Sequence, residues 1–416
     1  MQNHTKELYE NLQTLTIFRP LLTHPLLQQL QTMLHTQLQL AQHPDAPAQL
    51  YDAISAYCDF TSEIYEYSVQ NESEISGNFS ICLATLLFQT ENIYLKAKAQ
   101  KKRFSPALEQ RVSIELSILQ QLSQLRAEDM LQSLQSCGLS ASLPVWTTSP
   151  LSLEAEYRRR MENLSHTGFG IYAQYHIFQF SNGQISPVRH PDIQMLENLT
   201  GYERERQMVL RNTEVFLEGG SASNVLLYGD AGTGKSTTIK AIAHSLAPRG
   251  LRLLEVKKNQ LYLIPDILDE LAGNPLKFIL FIDDLSFSNN DDNFSALKAI
   301  LEGGVASCGK NVLIYATSNR RHLVKESMTQ RQGDDLHLND TLQETMSLAA
   351  RFGLTVTFQK PNKDAYLDIV KHLALQYGIH LPEQELFTKA EAFAIRCNGR
   401  SPRTAKHFIE LQKAGI

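Results

Sequence analysis

A glycine-rich loop between a short apolar run and a helical pattern carries the clearest chemistry in this sequence. Residues 229–236 match the pattern G-x-x-x-x-G-K-[ST] in the strand, loop and helix context that it requires. Unpaired amides at a helix N-terminus, together with the helix dipole, bind phosphate oxygens. The residues predicted to surround the phosphates are Gly229, Asp230, Ala231, Gly232, Thr233, Gly234, Lys235, Ser236 and Thr237.

Charge and metal binding in this loop are assigned to two side chains. Lys235 is placed to contact β- and γ-phosphates, and the Ser236 hydroxyl is placed to bind Mg²⁺. An isolated glycine-rich turn would explain the pattern less well, because an apolar strand-like run precedes it and a helical pattern follows.

Two adjacent carboxylates follow another apolar run, 278–282. A carboxylate at such a strand end can hold the Mg²⁺ that Ser236 also contacts, which predicts this role for Asp283. The next acid, Asp284, can orient or deprotonate an attacking water. A lone Asp-Asp pair is commonly a loop cap, but the position of this pair two strands after a phosphate loop favours the metal site.

Three further side chains complete the candidate site. Asn319 follows the apolar run 312–316, and its amide can hydrogen-bond the water or the γ-phosphate. Arg351 precedes the last strand-like run, and Arg403 opens the final helical pattern. A guanidinium aimed at a γ-phosphate stabilises transition-state charge, whether it comes from the same chain or from a neighbouring subunit.

The elements that must position these groups alternate between strand and helix from residue 196 onward. Strand-length apolar runs occur at 224–228, 251–256, 278–282, 312–316 and 354–358. Apolar strands joined by helical crossovers predict an α/β fold with a parallel sheet covered on both faces. Phosphate is expected at the carboxyl edge of that sheet. After Pro361, three helical patterns predict a small lid.

The first part of the chain reads differently. Leu8, Leu12 and Leu15 begin a series of apolar stripes at helical spacing, which predicts an all-α bundle. Asn182-Gly183 lies between two β-like runs and predicts a hairpin placed against the core. The predicted domains are 1–145 (helical), 146–195 (connector with hairpin), 196–360 (α/β core) and 361–416 (helical lid).

Composition places the chain among globular proteins. It has 416 residues, 43% of them hydrophobic and 20% charged, with a formal net charge of −5. The five cysteines are scattered without metal-ligand spacing, as expected for reduced thiols. The N-terminus does not read as a secretory signal, and no apolar run reaches membrane-spanning length. We therefore expect a cytoplasmic protein without a membrane partner.

Two basic runs bear on nucleic-acid binding. They cover 96–103 and 158–160 and lie in helical patterns without interleaved exposed aromatics. Solvated helix faces explain them better than nucleic-acid contacts, although such a contact stays open.

By these motifs, residues 195–416 resemble an AAA+ ATPase. In order they match Walker A (229–236), Walker B (278–284), sensor 1 (Asn319), an arginine finger (Arg351) and sensor 2 (Arg403). More narrowly, the segments Gly201-Tyr202-Glu203, Tyr228-Gly229-Asp230, Asp283-Asp284-Leu285-Ser286-Phe287 and Arg351-Phe352-Gly353 resemble a bacterial AAA+ group known as a domain of unknown function.

The resemblance implies a five-stranded sheet in the order 5-1-4-3-2, with a helical lid. It also implies ATP at subunit junctions and assembly into a ring or partial ring. With the site residues above, we expect ATP and Mg²⁺ as cofactors, a homo-oligomer, and a protein partner bound through the N-terminal helices. By family position, Leu199 and Tyr202 would line the adenine pocket.

The chain departs from the family pattern in two places. Asp284 stands where AAA+ proteins usually carry Glu, so hydrolysis is expected to be slow or to use a repositioned water. Residues 257–265 lack the aromatic, apolar and glycine pore loop of protein-threading relatives, which disfavours threading unless Tyr262 takes that role. The polar segment 325–341, with Arg331, Asp334, Asp335 and His337, is long enough to contact a partner.

ATP is preferred to a guanine nucleotide, because N-K-x-D after the last strand would need Asp where Ala365 stands. Three functions follow for testing. The first is an ATP hydrolase that remodels or regulates a protein partner. The second is an ATP-gated scaffold with little turnover, and the third is a motor or loader that acts on nucleic acid.

Overall fold

The structure is a computed structural model, and it describes residues 2–71, 76–192, 194–285, 292–301, 310–319, 350–397 and 399–415. The chain forms two compact units. The first comprises 1–164 and 168–174, and the second comprises 165–167 and 175–416. The described residues contain no helix long and apolar enough to cross a membrane.

The described part of the first unit is built from helices. Its long helices bury the leucine stripes, and Leu8, Leu12 and Leu15 are fully buried. The helices up to residue 174 are α1 (Gln2–Gln13), α2 (Pro25–Gln42), α3 (Pro47–Asn71), α4 (Phe79–Gln89), α5 (Ile93–Ala99), α6 (Pro106–Ser123), α7 (Ala127–Ser136), α8 (Leu153–Glu162), α9 (Leu164–Thr167) and α10 (Ile171–Gln174). Residues 165–167 of α9 belong to the second unit.

A buried carboxylate fixes one turn of the first unit. Glu115 of α6 is fully buried, and its oxygens accept hydrogen bonds from the backbone amides of Thr16, Ile17 and Phe18 at 3.0 Å. Arg111 Nε also donates to Glu115 at 2.6 Å. Burial alone would raise the pKa of Glu115, but these hydrogen bonds outweigh burial and leave the pKa below its usual value.

The connector expected over 146–195 is divided between the two units. The ring of Trp146 lies 5.1 Å from the rings of Tyr57 and Phe60, and its Nε1 donates to the Leu125 carbonyl at 2.8 Å. These contacts hold the start of the connector in the helical core. The structure therefore divides the chain near residue 175, whereas the sequence placed a boundary at 145.

The second unit contains a sheet with seven strands among the described residues. The strands are β1 (Ile177–Ser181), β2 (Gln184–Pro187), β3 (Val225–Gly229), β4 (Leu251–Glu255), β5 (Lys277–Ile282), β6 (Val312–Ser318) and β7 (Leu354–Phe358). Their order is β2-β1-β4-β5-β6-β3-β7, and all neighbours are parallel except β1 and β2.

The sequence predicted five strands, and the two strands of the hairpin add to them to give seven. The hairpin predicted from Asn182-Gly183 does not rest against the sheet but extends it, because Ile177 and Phe178 pair in parallel with Leu253 and Leu254 of β4. Phe178 is fully buried by this pairing. Without β1 and β2, the remaining parallel strands run β4-β5-β6-β3-β7.

The register of the sheet brings the candidate site to one edge. Val225, at the start of β3, pairs with Leu354 of β7, and Gly229, at its end, pairs with Phe358. Tyr228 pairs with Ser318 of β6. The carboxyl ends of β3, β6 and β7 therefore meet at the same edge, as parallel strands require.

Helices pack on the sheet and form the lid. The helices of the core are α11 (Glu203–Leu217), α12 (Lys235–Ser245), α13 (Ile264–Leu271) and α14 (Asp292–Leu301). The lid consists of α15 (Lys363–Tyr377), α16 (Glu383–Arg396) and α17 (Pro402–Lys413). The part of the chain that the structure describes also contains 3₁₀ segments at Arg19–Thr23, Leu196–Asn198, Ala247–Arg249 and Lys258–Leu263. The lid has its own apolar core around Tyr366, Phe408 and Ile409.

Candidate active site

The glycine-rich loop leaves the sheet between β3 and α12. Gly229 has a φ of 133°, and a Cβ atom there would collide with the backbone carbonyl of Phe358 on β7. Gly234 immediately precedes α12 with a φ of 90°, which disfavours any residue with a side chain. The two glycines thus let the loop turn tightly over the edge of the sheet and enter the helix.

Lys235 lies under this loop with its ammonium group fully hydrogen-bonded. Nζ donates to the carbonyls of Gly229 at 2.9 Å and Asp230 at 2.7 Å, and to Asn319 Oδ1 at 2.9 Å. The residue is 5% exposed, and burial lowers its pKa below the usual value. The ammonium is thereby fixed at the meeting point of the loop and the end of β6.

Asp283 accepts hydrogen bonds from three residues. Its Oδ1 accepts from Ser236 Oγ of α12 at 2.6 Å, from Thr317 Oγ1 of β6 at 2.5 Å and from the Asp284 amide at 3.1 Å. Mg²⁺ prefers oxygen ligands and usually takes one or two protein groups together with waters and phosphate oxygens. Among the described residues no group of three or more His, Cys, Asp and Glu forms a metal site. The pairing of one hydroxyl with one carboxylate fits Mg²⁺ held jointly with a phosphate.

Asp284 lies beside Asp283 in an unusual backbone conformation. Its φ is 50°, in the left-handed region that residues other than glycine rarely adopt. Its carboxylate accepts a hydrogen bond from Asn319 Nδ2 at 2.8 Å. Since Asn319 Oδ1 also accepts from Lys235, the Asn319 amide bridges the ammonium and the second acid.

A cavity of about 530 Å³ connects most of the predicted residues. Its lining includes Leu199, Tyr202, Ala231, Gly232, Thr233, Gly234, Lys235, Ser236, Thr237, Asp283, Asp284, Asn319 and Arg403. Gly229 and Asp230 lie just outside this lining. The Asp230 carboxylate accepts from the Lys360 amide at 2.9 Å, so it ties the loop to the segment that leads into the lid.

The lid reaches the loop through the first turn of α17. The Arg403 amide donates to the Gly232 carbonyl at 3.2 Å, and Arg403 and Lys406 both border the cavity. Ser401 caps α17 by accepting from the Thr404 amide at 3.1 Å. Two cationic residues of the lid thus border the same cavity as the glycine-rich loop.

Arg351 is a further predicted site residue that does not border this cavity. It lies three residues before Leu354, which pairs with Val225 at the amino ends of the strands. The cavity lies at the carboxyl ends. The role predicted for Arg351 in a neighbouring copy therefore stays a prediction.

The residues predicted to line the adenine pocket, Leu199 and Tyr202, also border the cavity. Tyr202 has a φ of 60°, its ring stacks on Phe358 with centroids 5.1 Å apart, and its hydroxyl donates to the Gln359 carbonyl at 2.6 Å. Burial, followed by the charges of Asp230 and Glu205, raises the pKa of Tyr202 to about 12. The phenol is therefore neutral near pH 7, and its ring forms an apolar wall.

The structure adds two residues that the sequence did not single out. Arg206 of α11 donates to the carbonyls of Leu199, at 2.7 Å, and Gly201, so it fixes the segment that precedes Tyr202. Thr317 contacts both acids from β6. Arg206 lies one helical turn after Tyr202, and this position could have suggested that it supports the segment around Tyr202. A threonine near the end of an apolar strand gives no comparable sign of its role.

Two further predictions concerned segments that could contact a partner or a threaded chain. The segment 325–341, with Arg331, Asp334, Asp335 and His337, lies outside the described residues, as do Ser286 and Phe287. Tyr262 is described and is 64% exposed in the segment after β4.

Comparison with known families decides where the chain belongs. The family described as "Protein of unknown function (DUF815)" matches residues 173–415, which is more than half of the chain. The chain belongs to this family. The match includes the whole described sheet and the lid, so the part of the chain that carries the cavity is the part that the DUF815 family covers.

Solved structures of RuvB from Thermotoga maritima are also similar to this chain. One, of a RuvB mutant, has 18% identity and a TM-score of 0.36 over 52% of this chain and 63% of its own, so this chain spans less than two thirds of that protein. Another, titled a Holliday junction branch migration motor, has 16% identity and a TM-score of 0.32. The similarity covers 53% of this chain and 74% of that protein. Curated proteins gave no match.

Proposed function

We propose that this protein binds ATP with Mg²⁺ and hydrolyses it to remodel or regulate a protein partner. The observation that carries the proposal is the convergence on one cavity of the Lys235 ammonium, the Ser236 and Asp283 oxygens and the Asp284 and Asn319 side chains. In P-loop hydrolases this set of groups positions a triphosphate and a water and stabilises the developing charge.

Each group has a distinct role in this proposal. Loop amides and Lys235 hold the phosphates, and Ser236 and Asp283 hold Mg²⁺, which when bound neutralises phosphate charge. Asp284 orients or deprotonates water, and Asn319 positions Asp284. Arg403 contributes positive charge from the lid of the same chain. Arg351 contributes it from a neighbouring copy, and the helical first unit binds the protein partner.

Phosphate release by the wild type and by Lys235→Ala tests hydrolysis. We expect the variant to be at least about 100-fold slower, because a fixed cation at the transferring phosphate is lost. Lys240→Ala is the matched control: Lys240 lies on the same helix and pairs with Glu255 at 3.1 Å, outside the cavity. Equal rates for wild type and Lys235→Ala would overturn the proposal.

Coupling to a protein partner needs a separate experiment. Asp284→Asn keeps the shape of the side chain but removes its basicity, so we expect it to bind ATP and retain the partner-bound state. Affinity capture with this variant should enrich a protein in the presence of ATP. The double variant Lys235→Ala/Asp284→Asn is the control, and equal recovery of that protein with both variants contradicts nucleotide-dependent binding.

A second function, an ATP-gated scaffold with little turnover, is favoured by one observation. The short carboxylate of Asp284 is already hydrogen-bonded by Asn319 Nδ2. If this acid limits turnover, Asp284→Glu should raise kcat while nucleotide affinity stays within about two-fold. Tight ATP binding with no turnover in either form would support the scaffold.

Action on nucleic acid has less support in the charge pattern. Arg158 pairs with Glu154 at 2.9 Å and Arg159 with Glu156 at 2.6 Å, so two cations of the second basic run face carboxylates. Salt-sensitive binding of DNA or RNA in a filter assay would favour this third function.

A further inference from the structure

Thr317 lies near the end of β6 and contacts three consecutive residues after β5. Its Oγ1 donates to Asp283 Oδ1 at 2.5 Å and accepts from the Asp284 amide at 3.0 Å, and its carbonyl accepts from the Leu285 amide at 2.7 Å. Thr317 is 2% exposed. Thr317 borders the cavity, but its hydroxyl is already engaged by Asp283 and the Asp284 amide.

The direction of these bonds follows from the donors available. An ionised carboxylate can only accept, and a backbone amide can only donate. The single hydroxyl proton of Thr317 must therefore point to Asp283, which leaves a lone pair for the Asp284 amide. A side chain without a hydroxyl, even one of the same shape, loses both bonds.

The two carboxylate oxygens of Asp283 differ in their hydrogen bonding. Within the described residues, the hydrogen bonds to this carboxylate come from Ser236, Thr317 and the Asp284 amide, and all reach Oδ1. Oδ1 is thus committed to the protein, and the carboxylate is held at one angle. Mg²⁺ tolerates little deviation from octahedral geometry, so the angle of its carboxylate ligand affects binding.

The consequence for Asp284 is a fixed backbone. With a φ of 50°, this residue needs surrounding contacts to keep it in the left-handed region. The Thr317 hydroxyl holds its amide, and the Thr317 carbonyl holds the amide of Leu285. One residue on the neighbouring strand therefore controls both the orientation of the first acid and the placement of the second.

We infer that Thr317 is a positioning residue that orients Asp283 for Mg²⁺ and holds Asp284 in place through its hydroxyl group. The inference rests on the proposed function, because it concerns the same cavity. It predicts that the hydroxyl of Thr317 sets the affinity of the site for Mg²⁺ without affecting metal-free nucleotide binding.

The test titrates Mg²⁺ into the full chain with a fluorescent ATP analogue, after first measuring the affinity for the analogue in EDTA. Thr317→Val removes the hydroxyl at nearly constant shape. We expect its affinity in EDTA to stay within about two-fold of wild type, while the Mg²⁺ concentration at half-effect rises about ten-fold, since residues behind metal ligands commonly contribute that much. For Thr317→Ser, which keeps a hydroxyl, the Mg²⁺ concentration at half-effect should lie within about three-fold of the wild-type value.

Two results would overturn the inference: an unchanged Mg²⁺ requirement in Thr317→Val, or a Thr317→Ser variant as impaired as Thr317→Val. Thermal unfolding shows whether each variant folds, and Thr317→Ala, which adds no new group, replaces Thr317→Val if that variant does not. Absence of analogue binding by the wild type would refute the proposed function itself. A wild type that binds but does not hydrolyse would still report on Thr317.

Discussion

The Asn319 amide group joins Lys235 to Asp284: its oxygen lies 2.9 Å from the ammonium nitrogen and its nitrogen 2.8 Å from the carboxylate. The group proposed to bind phosphate and the group proposed to act on water are therefore linked by one side chain. A γ-phosphate that competes for the Lys235 ammonium would change the hydrogen bonding of Asn319 and, through it, of Asp284.

Replacing Asn319 tests this link. Asn319→Ala removes both hydrogen bonds, and we expect kcat for ATP hydrolysis to fall about 100-fold while nucleotide affinity changes less than about three-fold. Steady-state phosphate release together with nucleotide titration separates the two quantities. Asn311→Ala is the control, because Asn311 donates to the carbonyls of Leu271 and Asn274, away from the cavity. A loss of affinity that matches the loss of turnover would contradict the link.

Arg206 is expected to control nucleotide affinity by holding the segment before Tyr202. Arg206→Lys keeps the charge but cannot reproduce the two hydrogen bonds from one planar guanidinium to Leu199 and Gly201. We predict about ten-fold weaker nucleotide binding with kcat within about two-fold. Arg211→Lys serves as control, since Arg211 is on the same helix, is 64% exposed and pairs only with Glu214 among the described residues. Equal affinity of wild type and Arg206→Lys would show that the segment does not depend on Arg206.

Arg351 is predicted to act on the nucleotide of a neighbouring copy. Lys235→Ala and Arg351→Ala should each abolish most hydrolysis, yet mixing them should restore activity, because about a quarter of the sites in a random assembly would combine an intact lysine with an intact arginine. The measurement is phosphate release from mixtures at constant total protein. Mixing that restores nothing, in samples shown to assemble, would place Arg351 outside the reaction.

Glu115 is expected to stabilise the first unit in a pH-dependent way. Its pKa is lower in the folded state than its ordinary value of 4.5, so its stabilisation is complete above that value and is lost as the pH falls through the lower, folded-state pKa. Glu115→Gln should reduce the free energy of unfolding by roughly 2 kcal/mol at pH 7, because buried hydrogen bonds to a charge are weakened. The difference in the free energy of unfolding between wild type and Glu115→Gln should shrink as the pH falls below 4.5.

Fluorescence of Trp146, the single tryptophan, follows unfolding of the first unit during urea titration. Glu10→Gln is the control, because Glu10 pairs with Lys6 on the surface, where such pairs contribute little. A constant difference between wild type and Glu115→Gln from pH 7 to pH 3.5 would contradict the assignment.

The sequence predicted the parts of the site that depend on local patterns. The spacing from Gly229 to Ser236 and the acids after an apolar run specify their surroundings, because parallel strands bring their carboxyl ends to one edge. Arg206 and Thr317 could not be assigned in this way. Their roles depend on carbonyls and carboxylates of other segments, and a threonine in a strand has the same pattern whether or not its hydroxyl is used.

Non-local pairing also explains the differences in the fold. Nothing in the run Ile177–Ser181 specifies β4, more than 70 residues away, as its partner. In the same way, the burial of Trp146 depends on Tyr57 and Phe60, which come from a distant helix. For the hairpin and for the start of the connector, the sequence therefore did not indicate which distant residues they pack against.

The exit from β7 joins three parts of the second unit within a few residues. Phe358 and Gln359 contact Tyr202, the Lys360 amide holds Asp230, and α15 of the lid begins at Lys363. Because this stretch is so short, we expect any rotation of the lid to shift the Tyr202 ring and the glycine-rich loop together.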